Sequence, residues 1–307
     1  MRRWNRGIQC IKQEFILRKK FLLAICLFIS LLLVAYFFNR KYEVISFHLL
    51  RSDGRSEIKV MTWNVHCSKG ADSIKQRKIA ELVLDVDADF VLLNEYYQDS
   101  CSVTDSLLRM RYPFTEESRS HRRCGDIFYS KIMMFHTGRV KTPKKVKRTQ
   151  TIKATITVGN DSVQVFGVHM ASNRYDGTSF EKVLDGDSTS YDQYKDAQLK
   201  RCFQTHWIKE AVLDSKLPVI VMGDMNDFNY SAPLDTLMSC GLMDAWWEGG
   251  NGYGATFHSG WMRLRIDHIL HSKELKLESI KVIETNLSDH NPVVAEFSLN
   301  TNTNHTN

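Results

Sequence analysis

Five short polar clusters in this chain each close or follow an apolar run, and their residue types suit chemistry on a phosphate ester. They are Thr62-Trp63-Asn64, Leu93-Asn94-Glu95, Val168-His169-Met170, Gly223-Asp224-Met225-Asn226 and Ser288-Asp289-His290. A phosphate ester resists attack because its oxygens are already negative, so hydrolysis needs a divalent cation, an aligned water and stabilisation of developing charge. Hard cations such as Mg²⁺ prefer carboxylate and amide oxygens, while imidazoles move protons near neutral pH. The clusters together predict a metal-assisted phosphoesterase site.

Alternating strands and helices must position these clusters. Apolar periodicity predicts two helices, Ser73 to Leu84 and Tyr194 to Leu213. It predicts strands at Ile58 to Asn64, Phe90 to Asn94, Thr151 to Val158, Ser162 to His169, Val219 to Met222, Ile266 to Leu270, Leu275 to Glu284 and Val293 to Phe297. Strands in hairpins together with strands that alternate with helices indicate mixed sheets. The polar stretch Ser172 to Ser190 is too long for a simple connector, so we predict a substrate loop there.

The five clusters, in this order and with Arg265-Ile266-Asp267-His268-Ile269-Leu270 between the fourth and the fifth, resemble the endonuclease/exonuclease/phosphatase superfamily. The resemblance covers roughly Glu57 to Leu299. It implies an α/β fold, a four-layer α/β sandwich with two packed mixed β-sheets. It also implies a divalent-metal-dependent hydrolase.

The resemblance assigns three residues to the metal. Glu95, at the end of a buried apolar run, becomes the principal ligand of Mg²⁺, with Mn²⁺ as an alternative cation. Asn64 gives an amide oxygen to the metal shell or orients Glu95. Asp289 completes the shell as a direct or water-mediated ligand.

Five further residues receive catalytic roles by the same resemblance. Asp224 orients or deprotonates the attacking water, and Asn226 donates a hydrogen bond to the phosphate. His290 contacts the phosphoryl group, with Asp267 fixing its tautomer. His169 either protonates the leaving oxygen or holds phosphate.

Other polar residues receive structural interpretations. We interpret Asp227 as a cap or turn residue, and His66 as a structural or surface residue. The two basic clusters, at residues 119–123 and 141–148, are interpreted first as solvated loops, although either could hold a phosphate-rich substrate.

The amino terminus is predicted to be a separate unit. Residues 21–38 form an 18-residue run without a charge, which is near the lower limit for a membrane-spanning helix. A cleavable signal peptide and a buried helix are the alternatives. The length of the run and the absence of a convincing cleavage site favour a retained anchor. The predicted order is a basic cytoplasmic segment at 1–20, the anchor at 21–38, a linker at 39–56, the catalytic domain at 57–299 and a disordered polar tail at 300–307.

Charge sets the predicted orientation. Residues 1–20 hold seven Lys and Arg and one Glu, so the positive-inside rule places them in the cytoplasm and the catalytic domain outside it. This segment accounts for the whole net charge of +6, so the rest of the chain is neutral. The basic balance is therefore not a nucleic-acid footprint of the domain.

Two classes of function compete. One is a membrane-tethered phosphoesterase, most simply a phosphodiesterase, and the other is a membrane-anchored binding or scaffold protein that keeps the fold without turnover. The clusters place the expected residue type at each catalytic position, which favours the enzyme. Nucleic acid, a phospholipid head group and a small phosphate ester stay open as substrates. The sequence shows no feature typical of a protein partner.

Overall fold

The structure is a computed structural model that describes residues 25–36, 39, 46–47, 56–66, 72–97, 102–118, 124–140, 151–173 and 186–300. It divides into two units, residues 1–45 and 46–307.

The first unit contains a helix at residues 25–36, inside the predicted anchor. Among the residues that are described, no helix is both long and apolar enough to cross a bilayer. Residues 21–24, 37 and 38 of the predicted span lie outside the described residues.

The second unit is built on two mixed sheets, and strand β2 shows how the sequence makes them. In β2 (Ile58–Asn64) successive side chains point to opposite faces, yet both faces are buried. Ile58 and Val60 pack in the core between the sheets, whereas Met61 and Trp63 pack in the core beneath the helices. The sequence of a strand that is buried on both faces is therefore a nearly continuous apolar run.

Sheet I has the order β15-β16-β2-β3-β5-β4 within the described residues. Besides β2 its strands are β3 (Phe90–Tyr97), β4 (Phe114–Glu117), β5 (Cys124–Ser130), β15 (Leu275–Val282) and β16 (Val293–Leu299). Only the pair of β2 and β3 is parallel among these described pairings.

Sheet II has the order β10-β14-β9-β8-β7-β6 in the same described part of the chain. Its strands are β6 (Met134–Arg139), β7 (Ile152–Val158), β8 (Asp161–His169), β9 (Val219–Asp224), β10 (Leu242–Asp244) and β14 (Asp267–Ser272). The neighbours β8 and β9 run parallel, so His169 and Asp224 end side by side in register.

Short strands complete the unit. The strand β1 (Ser46–Phe47) pairs with β11 (Asn251–Gly252), and β12 (Phe257–Ser259) pairs with β13 (Met262–Leu264) as a hairpin.

Helices cover the outer faces of both sheets. The described helices of this unit are α1 (Ser73–Val86), α2 (Val103–Arg111), α3 (Ser188–Asp214), α4 (Ala232–Met238) and α5 (Ala245–Gly249). Capping side chains fix where the longer ones begin: Asp72, Ser102 and Asp187 each accept a hydrogen bond from a backbone N–H three residues later. Apolar side chains of α1 and α2 pack on sheet I, and those of α3 and α4 pack on sheet II. With the shared core between the sheets, this gives the predicted four-layer α/β sandwich.

Two differences from the sequence-based expectation lie near the predicted site. Helix α3 begins at Ser188 rather than Tyr194, because Asp187 caps it, so the predicted substrate loop ends earlier. Strand β3 does not end before Glu95 but continues to Tyr97 through a register shift between Leu93 and Tyr96. The rest of the predicted loop, 174–185, and both basic clusters lie outside the described residues.

Candidate active site

The predicted site residues lie at one edge of the molecule, where the ends of strands from both sheets meet. Sheet I contributes Asn64 at the end of β2 and Glu95 on β3, and the segment 288–290 precedes β16. Sheet II contributes His169 at the end of β8, Asp224 at the end of β9 and Asp267 at the start of β14. All eight predicted residues lie in this region, with Asn226 two residues after β9.

Glu95 sits on the irregular turn of β3. Its φ is 51°, a left-handed conformation that side chains other than Gly seldom adopt, and this conformation interrupts the ladder with β5. One carboxylate oxygen, Oε1, lies 3.3 Å from Asn64 Nδ2. The Asn64 amide therefore orients Glu95, and its oxygen accepts from the backbone N–H of His66 at 2.9 Å.

Asp289 lies beside His66. Their closest side-chain atoms, His66 Nδ1 and Asp289 Oδ2, are 3.1 Å apart. The hydrogen bond that His66 donates to the Asp289 carboxylate raises the pKa of His66, burial lowers it, and the charge of Glu95 also raises it. Glu95 and Asp289 thus act on the same imidazole.

Asp224 is fully buried at the centre of the site. Its Oδ2 accepts a hydrogen bond from Asn64 Nδ2 at 2.9 Å, and its Oδ1 accepts from the backbone N–H of Asn226 at 2.9 Å. The Asn226 side chain donates to the carbonyl of Met170, and its backbone has φ 51°. Asp224 and Asn226 therefore share one tight turn.

The first carboxylate–imidazole pair is His290 with Asp267. His290 Nδ1 lies 2.8 Å from Asp267 Oδ2, and His290 Nε2 lies 3.9 Å from Asp224 Oδ2. Such a carboxylate fixes which ring nitrogen carries the proton and how the ring is oriented. The other ring nitrogen, Nε2, is left pointing at the centre of the site.

A second pair was missed from the sequence. His169 Nδ1 lies 3.2 Å from Asp126 Oδ1, and His169 Nε2 lies 3.6 Å from Glu95 Oε1 and 3.9 Å from Asp224 Oδ2. Asp126 is buried on β5, where it interrupts an otherwise apolar strand. A lone acid within an apolar strand can be seen in the sequence, and it could have indicated that Asp126 has a buried partner.

Asn94 was also left without a role. This buried amide donates to Asp126 Oδ1 and to the Val168 carbonyl, and it accepts from the backbone N–H of Asp224. It therefore ties β3 of sheet I to β8 and β9 of sheet II directly beneath the site.

The electrostatics follow from this crowding of acids. Burial and the charge of Asp267 raise the pKa of Asp224 to about 6, although the two histidines oppose the shift. Burial lowers the pKa of His290, but the charges of Asp267 and Asp224 outweigh it and raise the pKa to about 9. For His169, burial likewise lowers the pKa, and the charges of Asp126, Asp224 and Glu95 raise it to about 10. The carboxylates of the site therefore carry more negative charge than its imidazoles neutralise.

The donor atoms at this edge fit a divalent cation. Glu95, Asn64 and Asp289 offer the carboxylate and amide oxygens that Mg²⁺ prefers. Asp224, Asp267 and His290 form an adjacent group whose ligand atoms all lie within 4.8 Å of one another. Among the described residues, Asp267 Oδ1 is a buried oxygen without a hydrogen-bond partner. An unsatisfied buried acceptor of this kind suits a site that takes a cation.

Asp227 follows the tight turn at residues 224–226, the catalytic turn. Its side chain bonds both within this turn region and to helix α3. Its Oδ1 accepts from the backbone N–H of Phe228, as a turn residue would. Its Oδ2 accepts from Nε of Arg201 at 2.9 Å, and both side chains are fully buried.

The model of the endonuclease/exonuclease/phosphatase family matches residues 61–290, a range that includes all eight predicted site residues. The chain belongs to the endonuclease/exonuclease/phosphatase family. This confirms the resemblance drawn from the clusters. The family hydrolyses phosphoester bonds with divalent metals, so the chain is placed among phosphoester hydrolases at that level.

Solved structures support the same fold. The chain is similar to a 3′ phosphatase, NExo, from Neisseria bound to a product DNA hairpin (20% identity, 78% of this chain and 99% of that chain, TM-score 0.60). It is similar to human Nocturnin, whose catalytic domain holds a sulfate anion (16% identity, 82% and 97% covered, TM-score 0.62). It is also similar to D. rerio TDP2 complexed with a single-strand DNA product (15% identity, 78% and 98% covered, TM-score 0.61). A search of curated proteins found no match.

Proposed function

We propose that this protein is a Mg²⁺-dependent phosphodiesterase. The observation that carries the proposal is the convergence of two carboxylate–imidazole pairs on one oxygen. His169 Nε2 and His290 Nε2 each lie 3.9 Å from Asp224 Oδ2. Two imidazoles that approach one oxygen of a buried carboxylate can serve the two ends of a phosphoryl displacement, the attacking water and the leaving oxygen.

The residues divide the work as follows. Asp224 orients the attacking water and takes its proton. His290, held by Asp267, donates to the phosphoryl oxygens, and Asn226 donates a further hydrogen bond there. His169, held by Asp126, gives a proton to the leaving alkoxide. Each donor is fixed before the substrate arrives, which avoids reorganisation during the reaction.

Glu95, Asn64 and Asp289 would hold the metal beside this group. Mg²⁺ bound there supplies the positive charge that lets a nucleophile approach an anionic phosphate. Mn²⁺ has the same preference for oxygen ligands and would substitute for it.

A groove of about 850 Å³ beside the site supports a polar substrate. The β12–β13 hairpin forms its wall, because His258 and Arg263 are opposite each other on the hairpin and both line the groove. On the same hairpin Phe257 contacts the His290 ring, with centroids 5.0 Å apart. A group in the groove would therefore lie next to the scissile phosphate.

The lining of the groove favours a nucleic acid strand over a lipid. Tyr253 supplies a partly exposed ring, Asn286 an amide and Arg263 a charge for a neighbouring phosphate, while Glu284 is the one acid in the lining. An acyl chain would find little apolar surface there. The DNA-bound relatives, NExo and TDP2, agree with this substrate class.

A membrane tether is the further part of the proposal. The charge-free run at 21–38 and the basic segment before it support an anchored protein with its amino terminus in the cytoplasm and its active site on the other side.

A substrate panel tests the function. We would assay plasmid DNA, RNA, sphingomyelin and bis(p-nitrophenyl) phosphate with Mg²⁺ and with EDTA. We expect metal-dependent cleavage of the nitrophenyl diester and of nucleic acid. Arg263→Ala should raise KM for nucleic acid alone, whereas Lys273→Ala, in the exposed turn between β14 and β15, should not. Absence of turnover on every substrate would leave the non-catalytic scaffold as the better account.

A further inference from the structure

Arg201 lies outside the catalytic set, yet it contacts two segments next to Asn226: Asp227, which follows it, and the stretch after His169. It is on α3, its side chain is fully buried, and most of its hydrogen-bond partners lie outside that helix. Nε donates to Asp227 Oδ2 at 2.9 Å, immediately after Asn226. Nη1 donates to the carbonyl of Ala171 at 2.8 Å, two residues after His169.

A third contact closes the arrangement. Arg201 Nη1 also donates to Asn173 Oδ1 at 2.7 Å, and the Asn173 amide nitrogen lies 3.4 Å from the carbonyl of Asn226. Gln204, one turn further along α3, accepts from the backbone N–H of Ala171 at 3.0 Å. Helix α3 thus bonds to both backbone groups of Ala171, to Asp227 after Asn226, and through Asn173 to the carbonyl of Asn226.

Asn226 needs such support. Its φ of 51° lies in the left-handed region, which Asn adopts more readily than other non-glycine residues but which still costs free energy, so contacts around the turn help to hold it. Its own side chain donates to Met170, in the segment that Arg201 anchors through Ala171. The planar guanidinium suits this task because it donates in several fixed directions at once, which an ammonium cannot do.

We propose that Arg201 is a positioning residue that sets the catalytic geometry of Asn226 by holding Asp227, Ala171 and Asn173 together. The inference rests on the proposed function, since it assigns Asn226 to the phosphoryl group. Arg201 itself touches no reacting atom. Its contribution is to keep the Asn226 amide where the transition state needs it.

The test is a double-mutant cycle with Arg201→Lys and Asn226→Ala, measured on bis(p-nitrophenyl) phosphate with Mg²⁺. Lysine keeps a positive charge beside Asp227, so no buried carboxylate is left without a counter-ion. We expect Arg201→Lys to lower kcat about 10- to 100-fold and to change KM less than about threefold, because small displacements of a donor are costly in the transition state. In the Asn226→Ala background, Arg201→Lys should cost less than about twofold, since the group it positions is gone.

Glu278→Gln is the matched control for lost stability. It alters a buried carboxylate on β15 that pairs with Lys276 and Ser298, away from the catalytic turn. It should lower the melting temperature while leaving kcat at the wild-type value. If Arg201→Lys lowers kcat for a reason unrelated to Asn226, the fold-losses of the two single variants should multiply in the double variant. That result would overturn the inference.

Wild-type kcat in Arg201→Lys would overturn the inference as well. Asp227→Asn supplies an independent variant if Arg201→Lys does not fold, and the same non-additivity with Asn226→Ala is expected of it. If the wild-type protein hydrolyses no diester, the proposed function fails and this inference fails with it. An active wild type with additive losses refutes the inference alone.

Discussion

Each of the two catalytic carboxylate–imidazole pairs joins a residue of sheet II to one of sheet I or of the segment that leads into it. Asp126 on sheet I holds His169 on sheet II, and Asp267 on sheet II holds His290 from the segment before β16 of sheet I. The two histidines differ in their other neighbours. His169 is near Glu95, the proposed metal ligand, whereas the His290 ring packs against Phe257. We therefore expect the loss of His169 and the loss of His290 to affect the reaction rate differently on different substrates.

Replacement of the two histidines should separate their roles. His290→Ala should cost on the order of 10² to 10⁴ in rate on every substrate, because it removes a group that acts on the phosphoryl oxygens. His169→Ala should cost as much on a dinucleotide, whose alkoxide needs a proton, and little on a nitrophenyl diester, whose leaving group does not. The measurement is kcat/KM on both substrates, with the exposed His206→Ala as control. Equal losses on both would make His169 a phosphate ligand or a structural residue.

Asp126→Asn should reproduce the His169 pattern in weaker form. The substitution removes the charge that raises the pKa of His169, while the side chain keeps its size and its place beneath Asn94. We expect a loss of roughly 10- to 100-fold on the dinucleotide, within the range for impairing one acid or base. Hydrolysis of the nitrophenyl diester should change little. A uniform loss on both substrates would contradict the assignment.

Between elements, one buried charged cluster of Asp244, Arg265 and His268 supports the catalytic turn from the side of β14. Asp244, at the end of β10, accepts from Arg265 at 2.9 Å and contacts His268 at 3.0 Å. His268 Nε2 lies 3.0 Å from the carbonyl of Asp227, and Arg265 donates to the side chain of Asn229. Burial raises the pKa of Asp244, but the charge of Arg265 and the hydrogen bond from His268 outweigh it and hold the pKa well below its ordinary range.

This cluster predicts acid sensitivity of the fold. Because the folded pKa of Asp244 is depressed, the unfolded chain binds the extra proton first, so Asp244 stabilises the fold above about pH 4 and the stabilisation is lost as pH falls further. Asp244→Asn should lower the free energy of unfolding at neutral pH by about 3–5 kcal/mol, since Arg265 is left buried without its partner. Denaturant unfolding of both proteins at several pH values checks this. The difference should shrink toward acid, and a constant difference would contradict it.

The sequence predicts the strands that carry the motifs better than it predicts what surrounds them. Strand β2 and the hairpin of β7 and β8 follow from apolar runs and a two-residue turn, because both signals are local. Strand β6 is largely exposed and β4 only partly buried, so neither gives a strong pattern. Arg201 looks like any surface cation on a helix. Its burial depends on loops that are far away in sequence, which no local pattern reveals.

At the scale of the whole molecule, the site exists only where the two sheets meet. Asn64 and Asn94 of sheet I both bond to Asp224 of sheet II, so sheet packing and site assembly are one event. Packing is close there: a Cβ on Gly167 would lie 2.6 Å from the Phe128 ring. The family order of the motifs predicts this arrangement, whereas the pattern of predicted strands and helices gives only a mixed α/β class. The pairing of Asp126 with His169 needed the folded structure.

The proposed tether makes a separate prediction for the whole molecule. Protease added to intact cells or spheroplasts should release the domain at 57–299 from the segment at 21–38, because the domain is proposed to face away from the cytoplasm. Immunoblotting for the domain and for a cytoplasmic marker measures this. Protection of the domain until the membrane is opened would reverse the proposed orientation.

Glu95 is proposed to hold a divalent cation on which hydrolysis depends. A Mg²⁺ titration of bis(p-nitrophenyl) phosphate hydrolysis by the wild type and by Glu95→Gln tests it most directly, because glutamine keeps the size of the side chain and removes the charge. We predict saturable activation of the wild type, loss of at least about 10²-fold in kcat for Glu95→Gln, and a higher Mg²⁺ requirement for what remains. Circular dichroism should show the same fold for both proteins. Equal rates in EDTA and in Mg²⁺, or a Glu95→Gln variant with the wild-type Mg²⁺ curve, would contradict the account.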